Sequence, residues 1–237
     1  IPEIRKEEMA ESIRLLGAKH RWLGYVDSGL PQGDPLAERA GKAELPAGCF
    51  ALQDTDTVVQ DLVQVIREFR PHVIITYGGY THPDHLKVHE TSMVAWDKAG
   101  DPDYHPELGK PWAPLKLYYT HGFIRQRLQM FHDLLIEEGK TSPYTEILER
   151  WKPHQADIMA RVTTQVPCAE YFDVRDDVLR AHATQIDPAG TFFGTPVDVQ
   201  QKLWPTEEFE LAATRVRTSI PEDDLFAGIP ADSDDNE

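Results

Sequence analysis

The sequence predicts an α/β fold with a Rossmann-like, doubly wound and mostly parallel sheet and a C-terminal α/β elaboration. Helix-like and strand-like segments alternate up to about residue 120, which is the pattern of successive βα units. The apolar run over residues 73–77 is nearly continuous, as in a parallel strand covered on both faces. A length of 237 residues suits one domain of this kind.

The spacing of apolar residues and the capping residues predict the elements in chain order. Gly17 is typical of a helix C-cap and Asp54 of an N-cap, while the Pro-, Gly- and Ala-rich residues 30–50 predict a surface loop. Helices are predicted over residues 3–16, 54–69, 86–98, 124–138, 144–151, 169–185 and 206–214. Strands are predicted over residues 20–26, 72–77, 115–120 and 161–166.

Charge and composition limit the kinds of partner. The formal net charge is -16, which argues against nucleic acid or an anionic membrane as the main partner. No apolar run approaches the ~18 residues of a membrane span. Cys49 and Cys168 form no CxxC pair, so we expect reduced thiols in a cytoplasmic protein. No GxGxxG or GxxxxGK loop is present, and a nucleotide cofactor is therefore not indicated.

The densest group of chemically active residues is the segment Gly-Gly-Tyr-Thr-His-Pro-Asp-His over residues 78–85, between a predicted strand and a predicted helix. The segment follows the carboxyl end of the predicted strand, which is the edge where α/β sheets bind ligands. His85 is a candidate ligand for a divalent metal, with zinc the natural choice for an imidazole. His82 is a candidate general acid oriented by Asp84, and Tyr80 could donate to a developing oxyanion.

A structural interpretation of the same residues also stands, in which Asp84 caps the helix and the histidines lie on the surface. His89 lies four residues after His85, but residue 86 is Leu and not Glu, so the pair is not an HExxH motif and His89 is interpreted as an orienting or structural residue. His121 and His182 are candidates by residue type, either structural or in contact with substrate. One ligand, His85, does not make a catalytic zinc site, which usually has three protein ligands and an open position.

Six blocks carry a resemblance that covers essentially the whole chain. They are residues 3–9, 22–31, 82–85, 117–123, 180–188 and 203–211. With these blocks the chain resembles the LmbE-like zinc de-N-acetylases, and in particular their mycothiol S-conjugate amidase branch. The His-Pro-Asp-His motif indicates the superfamily, whereas the last two blocks are specific to the amidase branch.

The resemblance implies one zinc ion per subunit, with His85 as a ligand. It places the remaining His and Asp ligands and an Asp general base on a strand upstream of Ile1, so we expect this chain to lack the first strand of the fold. It implies that His82 protonates the leaving amine, that Asp84 orients His82, and that Tyr80 assists the tetrahedral intermediate. Zinc would polarise the amide carbonyl and lower the pKa of its bound water to about 7.

On the substrate side, the resemblance implies that Arg5 and Asp27 contact a glucosaminyl-inositol group. The alternative is that these two residues pair with one another or cap a helix. His121 and His182 are carried as further substrate contacts. We expect a catalytic core over residues 1–120, a substrate-side part over residues 121–219, and an acidic tail over residues 220–237.

The function implied by the resemblance is hydrolysis of an amide by a zinc enzyme. The expected substrate, and the only expected partner, is a small-molecule thiol–sugar conjugate: a mycothiol S-conjugate split into a mercapturic acid and glucosaminyl-inositol, as a detoxification step. One alternative is deacetylation of N-acetylglucosaminyl-inositol or another N-acetyl sugar. An alternative of a different class is a metal-free binding module on the same fold.

Overall fold

The computed structural model describes residues 2–29, 45–79, 82–151 and 157–231. Its helices are α1 Pro2–Leu16, α2 Thr55–Phe69, α3 Pro83–Lys98, α4 Arg125–Glu137, α5 Thr145–Glu149, α6 Phe172–Ala181 and α7 Val197–Leu203. Its strands are β1 Val73–Tyr77, β2 Lys116–Thr120, β3 Thr164–Pro167 and β4 Thr206–Thr214. The described residues therefore form an α/β protein with one four-stranded sheet, which confirms the predicted fold class.

The chain divides into two compact units. Unit 1 consists of residues 1–20 and 121–208, and unit 2 of residues 21–120 and 209–237. The break between residues 120 and 121 coincides with the predicted end of the catalytic core. Helix α1 belongs to the same unit as residues 121–208, although the sequence predicted it as part of the core. The three-part division by residue number stays a prediction.

The sheet has the strand order β1-β2-β4-β3. Strands β1 and β2 are parallel, with Val73 opposite Lys116 and Tyr77 opposite Thr120, as the alternating pattern predicted. Strands β2 and β4 are antiparallel. The expectation that β1 is covered on both faces is wrong for the described residues, because Ile75 is 48% and Tyr77 40% exposed.

The core of unit 2 lies between α2 and α3. Its buried members are Val59, Val63, Ile66, Ala95, Ala99 and Trp112. Asp54 caps α2 as predicted, because its side chain accepts a hydrogen bond from the backbone N–H of Thr57 at 2.9 Å. These contacts fix α3, which begins at the motif, against α2 and β1.

The core of unit 1 is formed by α4, α5 and α7. Its buried members are Leu128, Phe131, Leu135 and Tyr144, with Trp151 and Trp204 packed against them. Helix α1 lies against α6 in the same unit. Helix α1 ends as predicted at Gly17, whose φ of +63° is the left-handed conformation that glycine adopts without strain.

Three predicted elements differ from the structure. Residues 20–26 form no strand, and only Val26 makes an isolated bridge, to Cys49. The segment from Thr206 is strand β4 and not a helix, because pairing with β2 outweighs the helix propensity of its Glu, Leu and Ala residues. The helix predicted over residues 169–185 ends at Ala181. Most of the predicted loop over residues 30–50 lies outside the described residues.

The C-terminal segment is anchored to unit 2 by a buried ion pair. Glu222, which lies in the predicted acidic tail over residues 220–237, accepts a hydrogen bond from Lys116 Nζ at 2.5 Å and one from the Tyr118 hydroxyl at 2.8 Å. The Lys116 and Glu222 side chains are 0% and 1% exposed. The last six residues, 232–237, lie outside the described part. Across the described ranges, no helix is long and apolar enough to cross a membrane.

Candidate active site

The motif lies where the sequence predicted, between the end of β1 and the start of α3. His82 is the N-cap of α3, and Pro83 occupies the first turn. Nδ1 of His82 accepts a hydrogen bond from the backbone N–H of Asp84 at 3.2 Å, while Nε2 lies 2.7 Å from the carbonyl oxygen of Gly29. Because one nitrogen accepts and the other donates, the ring is neutral with its proton on Nε2.

Asp84 connects the motif to two other loops of unit 2. Its carboxylate accepts hydrogen bonds from the backbone N–H groups of Ser28 and Ala51, each at 3.0 Å. The carboxylate oxygen Oδ2 is 3.9 Å from Nδ1 of His82, beyond hydrogen-bonding distance. The main described contacts of Asp84 are therefore with main-chain groups, and its role in orienting His82 stays a prediction.

His85 lies on the ring of Tyr77. The two rings are stacked with their centroids 4.0 Å apart and their planes within 5°. Burial, together with the neighbouring His82, lowers the pKa of His85 below its usual value, although Asp84 acts in the opposite direction. The neutral imidazole that results is the form that binds a metal.

His89 and Gly79 fix the turn after β1. Nδ1 of His89 donates to the carbonyl oxygen of Tyr77 at 2.9 Å. Gly79 has a φ of +73°, and a Cβ placed there would lie 2.8 Å from Cδ2 of His89. The turn therefore requires glycine for its conformation and for its contact with the imidazole. The described hydrogen bond of His89 is therefore with the backbone of the turn, and a role for His89 in the site stays a prediction.

Two predicted residues of unit 2 complete this description. Asp27 is exposed, and its carboxylate accepts a hydrogen bond from the backbone N–H of Gly29 in a tight turn. Tyr80 lies outside the described residues. Sequence reasoning missed Tyr77, whose stacking on His85 joins residues eight positions apart and leaves no periodic signal.

The other predicted substrate contacts lie in unit 1. His121 is fully buried, and its backbone N–H donates to the carbonyl oxygen of Glu208 at 3.3 Å. Arg5 and His182 both lie near Glu8, and Nε of Arg5 is 3.9 Å from a carboxylate oxygen of Glu8.

Comparison with known proteins identifies the family. Residues 1–96 match the family described as PIG-L: GlcNAc-PI de-N-acetylase. The chain is 50% identical over 234 residues, 97% of its length and 78% of the relative's, to a protein of Streptomyces coelicolor named mycothiol S-conjugate amidase. The chain belongs to the PIG-L, or LmbE-like, family of de-N-acetylases. This confirms the resemblance inferred from the sequence blocks and makes the chain a hydrolase of the amidase and de-N-acetylase class.

A more distant relative agrees with the LmbE-like assignment, and two solved structures resemble the chain in fold. A protein of Streptomyces scabiei named 1D-myo-inositol 2-acetamido-2-deoxy-alpha-D-glucopyranoside deacetylase is 34% identical over 237 residues, covering 95% of this chain and 71% of the relative. A conserved protein from Thermus thermophilus, TT1542, has a TM-score of 0.53 at 18% identity, with coverage of 92% and 77%. N,N'-diacetylchitobiose deacetylase from Pyrococcus horikoshii has a TM-score of 0.52 at 15% identity, with coverage of 88% and 63%. These structural likenesses support the fold.

LmbE-like de-N-acetylases are in general metal-dependent, so the motif can be tested for a metal site. Within the described ranges, no group of three His, Cys, Asp or Glu residues is placed to hold a metal ion. The imidazole of His85 is neutral, which is the form that binds zinc, and the polar atoms of His82 and Asp84 make the contacts given above. The described residues therefore fit one ligand of a zinc site and do not complete it.

Proposed function

We propose that this LmbE-like chain hydrolyses the amide bond of mycothiol S-conjugates and releases a mercapturic acid and glucosaminyl-inositol. The observation that carries the proposal is the 50% identity, over 97% of the chain, to a protein named mycothiol S-conjugate amidase. The chain is less similar, at 34% identity, to the Streptomyces scabiei protein named as a deacetylase. The small molecule is the only partner in this proposal, and the reaction takes place in the cytoplasm.

The geometry of His82 and Asp84 supports proton delivery to the leaving amine. The ring of His82 is neutral in the described contacts, so it must gain a proton at Nδ1 before it can act as an acid. Nδ1 would then release the N–H of Asp84 and carry a positive charge 3.9 Å from that carboxylate. The contribution we assign to Asp84 is to orient the ring of His82. Tyr80 is proposed to donate to the oxyanion.

Zinc is the metal we propose, with His85 as one ligand and the others supplied from outside the described residues. Metal analysis of the purified protein tests this. We expect about one zinc per chain, and a loss of zinc in His85→Ala that the control His132→Ala does not share, because His132 is not among the proposed ligands. Equal zinc content in His85→Ala and the parent protein would contradict the assignment of His85.

The substrate can be identified by comparing the rates of the two reactions for which the relatives are named. Turnover is measured on a bimane-type mycothiol S-conjugate and on N-acetylglucosaminyl-inositol under the same conditions. We expect a higher kcat/KM on the conjugate. Faster turnover of the acetyl sugar would replace the proposal with the second candidate, an N-acetyl sugar deacetylase, which the 34% identity to such an enzyme supports.

A third candidate belongs to a different class, a binding module that retains the fold without a metal. It is supported by the incomplete ligand set in the described ranges. A protein that binds glucosaminyl-inositol, contains no zinc and hydrolyses neither substrate would favour this candidate. The substrate contacts that we propose are Arg5, Asp27, His121 and His182.

A further inference from the structure

Glu8 lies in the middle of α1 and is 8% exposed. Its two carboxylate oxygens are both taken by one residue of the same unit. The backbone N–H of Thr184 donates to Oε1 at 2.6 Å, and the Thr184 hydroxyl donates to Oε2 at 2.7 Å. Because Thr184 follows the end of α6, this pair of hydrogen bonds ties the chain after α6 to the middle of α1.

Two groups that can carry positive charge lie beside this carboxylate. Arg5 is one helical turn before Glu8, yet its Nε is 3.9 Å from Oε2 and makes no hydrogen bond to any residue that the structure describes. Nδ1 of His182 is also buried without a hydrogen-bond partner among the described residues. A cluster that served stability alone would pair these nitrogens, since buried polar atoms without partners are rare and costly. Thr184 occupies the carboxylate that would otherwise pair with them.

The charges of this cluster indicate the kind of ligand that it would accept. The hydrogen bonds from Thr184 lower the pKa of Glu8, with further contributions from Arg5 and His182, although burial acts against them. The ionised Glu8 therefore balances the positive charge of Arg5, and an anionic ligand would meet a carboxylate beside the guanidinium. A neutral hydroxyl group meets no such repulsion, because it can accept from a guanidinium and either donate to or accept from an imidazole.

We propose that Glu8 is a positioning residue: by holding Thr184, it fixes Arg5 and His182 for the hydroxyl groups of a polyol that carries no anionic group. The inference rests on the proposed function for the assignment of Arg5 and His182 to the substrate's glucosaminyl-inositol part. Glu8 itself does not touch the ligand. It acts through the position of the segment that carries His182 and through its contact with Arg5.

The test uses three single variants and one double variant. Glu8→Gln keeps the shape of the side chain but removes its charge and one acceptor. Thr184→Val removes only the hydroxyl donor, so it carries the test if Glu8→Gln does not fold. Glu11→Gln is the matched control on the same helix, because Glu11 pairs with Arg14 on the exposed face. The double variant combines Glu8→Gln with Thr184→Val.

Two readouts are needed: kinetics on the bimane-type conjugate, and calorimetric binding of free glucosaminyl-inositol. We expect Glu8→Gln to raise KM about tenfold with kcat within about twofold, because it weakens binding remote from the scissile amide. The Kd for glucosaminyl-inositol should rise by a similar factor. Thr184→Val should give a smaller rise, and the double variant should be no weaker than Glu8→Gln, because both substitutions break one connection. Glu11→Gln should match the parent protein.

A purely structural role for Glu8 predicts a different result. Glu8→Gln would then lower the melting temperature while KM and Kd stayed at their parent values at 25 °C, which would overturn the inference. If the parent protein fails to hydrolyse the conjugate but binds glucosaminyl-inositol, the proposed reaction fails while the binding comparison still tests Glu8. A parent protein that neither hydrolyses the conjugate nor binds glucosaminyl-inositol overturns both.

Discussion

Replacing Asp84 with Asn tests whether this residue holds the motif in place. In the parent protein, Oδ1 accepts from Ala51 N–H and Oδ2 from Ser28 N–H, each at 3.0 Å, and the side chain is only 16% exposed. Asn keeps one acceptor oxygen and turns an NH2 group toward the other N–H. A hydrogen bond to a charged group contributes about 1.5–3 kcal/mol, so we expect a loss of about 2 kcal/mol in the stability of these loops.

The change should be visible by hydrogen exchange. A loss of about 2 kcal/mol corresponds to roughly 30-fold faster exchange, because 1.36 kcal/mol is tenfold. The acceleration should be confined to the peptides that contain Ser28 and Ala51. Asp133→Asn is the control, because the hydrogen bond described for Asp133 comes from the Gln129 side chain on an exposed helix face, and the variant should stay within about 0.5 kcal/mol of the parent protein. Unchanged exchange at both amides in Asp84→Asn, with a fall in kcat, would refute the tethering role and leave only the effect on His82.

Three further predictions concern stability. Gly79→Ala should lower the free energy of unfolding by about 1–2 kcal/mol, because Gly79 has a φ of +73°, and its new Cβ should displace His89. Urea unfolding of the parent protein and the variant measures this loss. Lys116→Met should cost about 3–5 kcal/mol because it leaves the buried Glu222 unpaired, whereas adding Glu222→Leu should recover most of the loss; equal stability of the single and double variants would contradict this. Burial raises the pKa of Glu208, so the folded state binds this proton more tightly than the unfolded state does, and stability falls as pH rises through the window above the ordinary value of 4.5. The free energy of unfolding should therefore decrease less between pH 5 and pH 8 in Glu208→Gln than in the parent protein.

The elements that the sequence predicted correctly are those with local signals. Asp54 caps α2 through a hydrogen bond to a residue three positions later, and Gly17 ends α1 through its own backbone conformation. The motif was located for the same reason, because an apolar strand, a glycine turn and a helix follow one another directly. Local pattern is sufficient where the interacting groups are neighbours in sequence.

The elements that were predicted wrongly depend on distant partners. The segment from Thr206 contains residues that favour helices, and its strand conformation comes from pairing with β2, about 90 residues earlier in the chain. Residues 20–26 have strand-like composition, but within the described residues only Val26 finds a bridge. Composition reports that a segment can form a strand, while the neighbouring strand decides whether it does.

The same limit applies to the roles assigned within the motif. The sequence offered Asp84 as the partner of His82, two residues away, because nothing local indicates that Ser28 and Ala51 lie closer to its carboxylate. His82 likewise uses both ring nitrogens on backbone groups, at Gly29 and at Asp84. The polar atoms of these two side chains thus hold the loop in the state described.

This arrangement determines how substitutions in the motif must be interpreted. A fall in activity in Asp84→Asn or His82→Gln has two sources, because each substitution removes a hydrogen bond that holds the loop as well as any group that moves a proton. Kinetics alone cannot separate the two, whereas exchange at Ser28 and Ala51 reports only the loop. A chemical role for His82 therefore requires a variant with parent-like exchange and a reduced kcat. The stacking of Tyr77 on His85 requires the same separation, with zinc content as the second measurement.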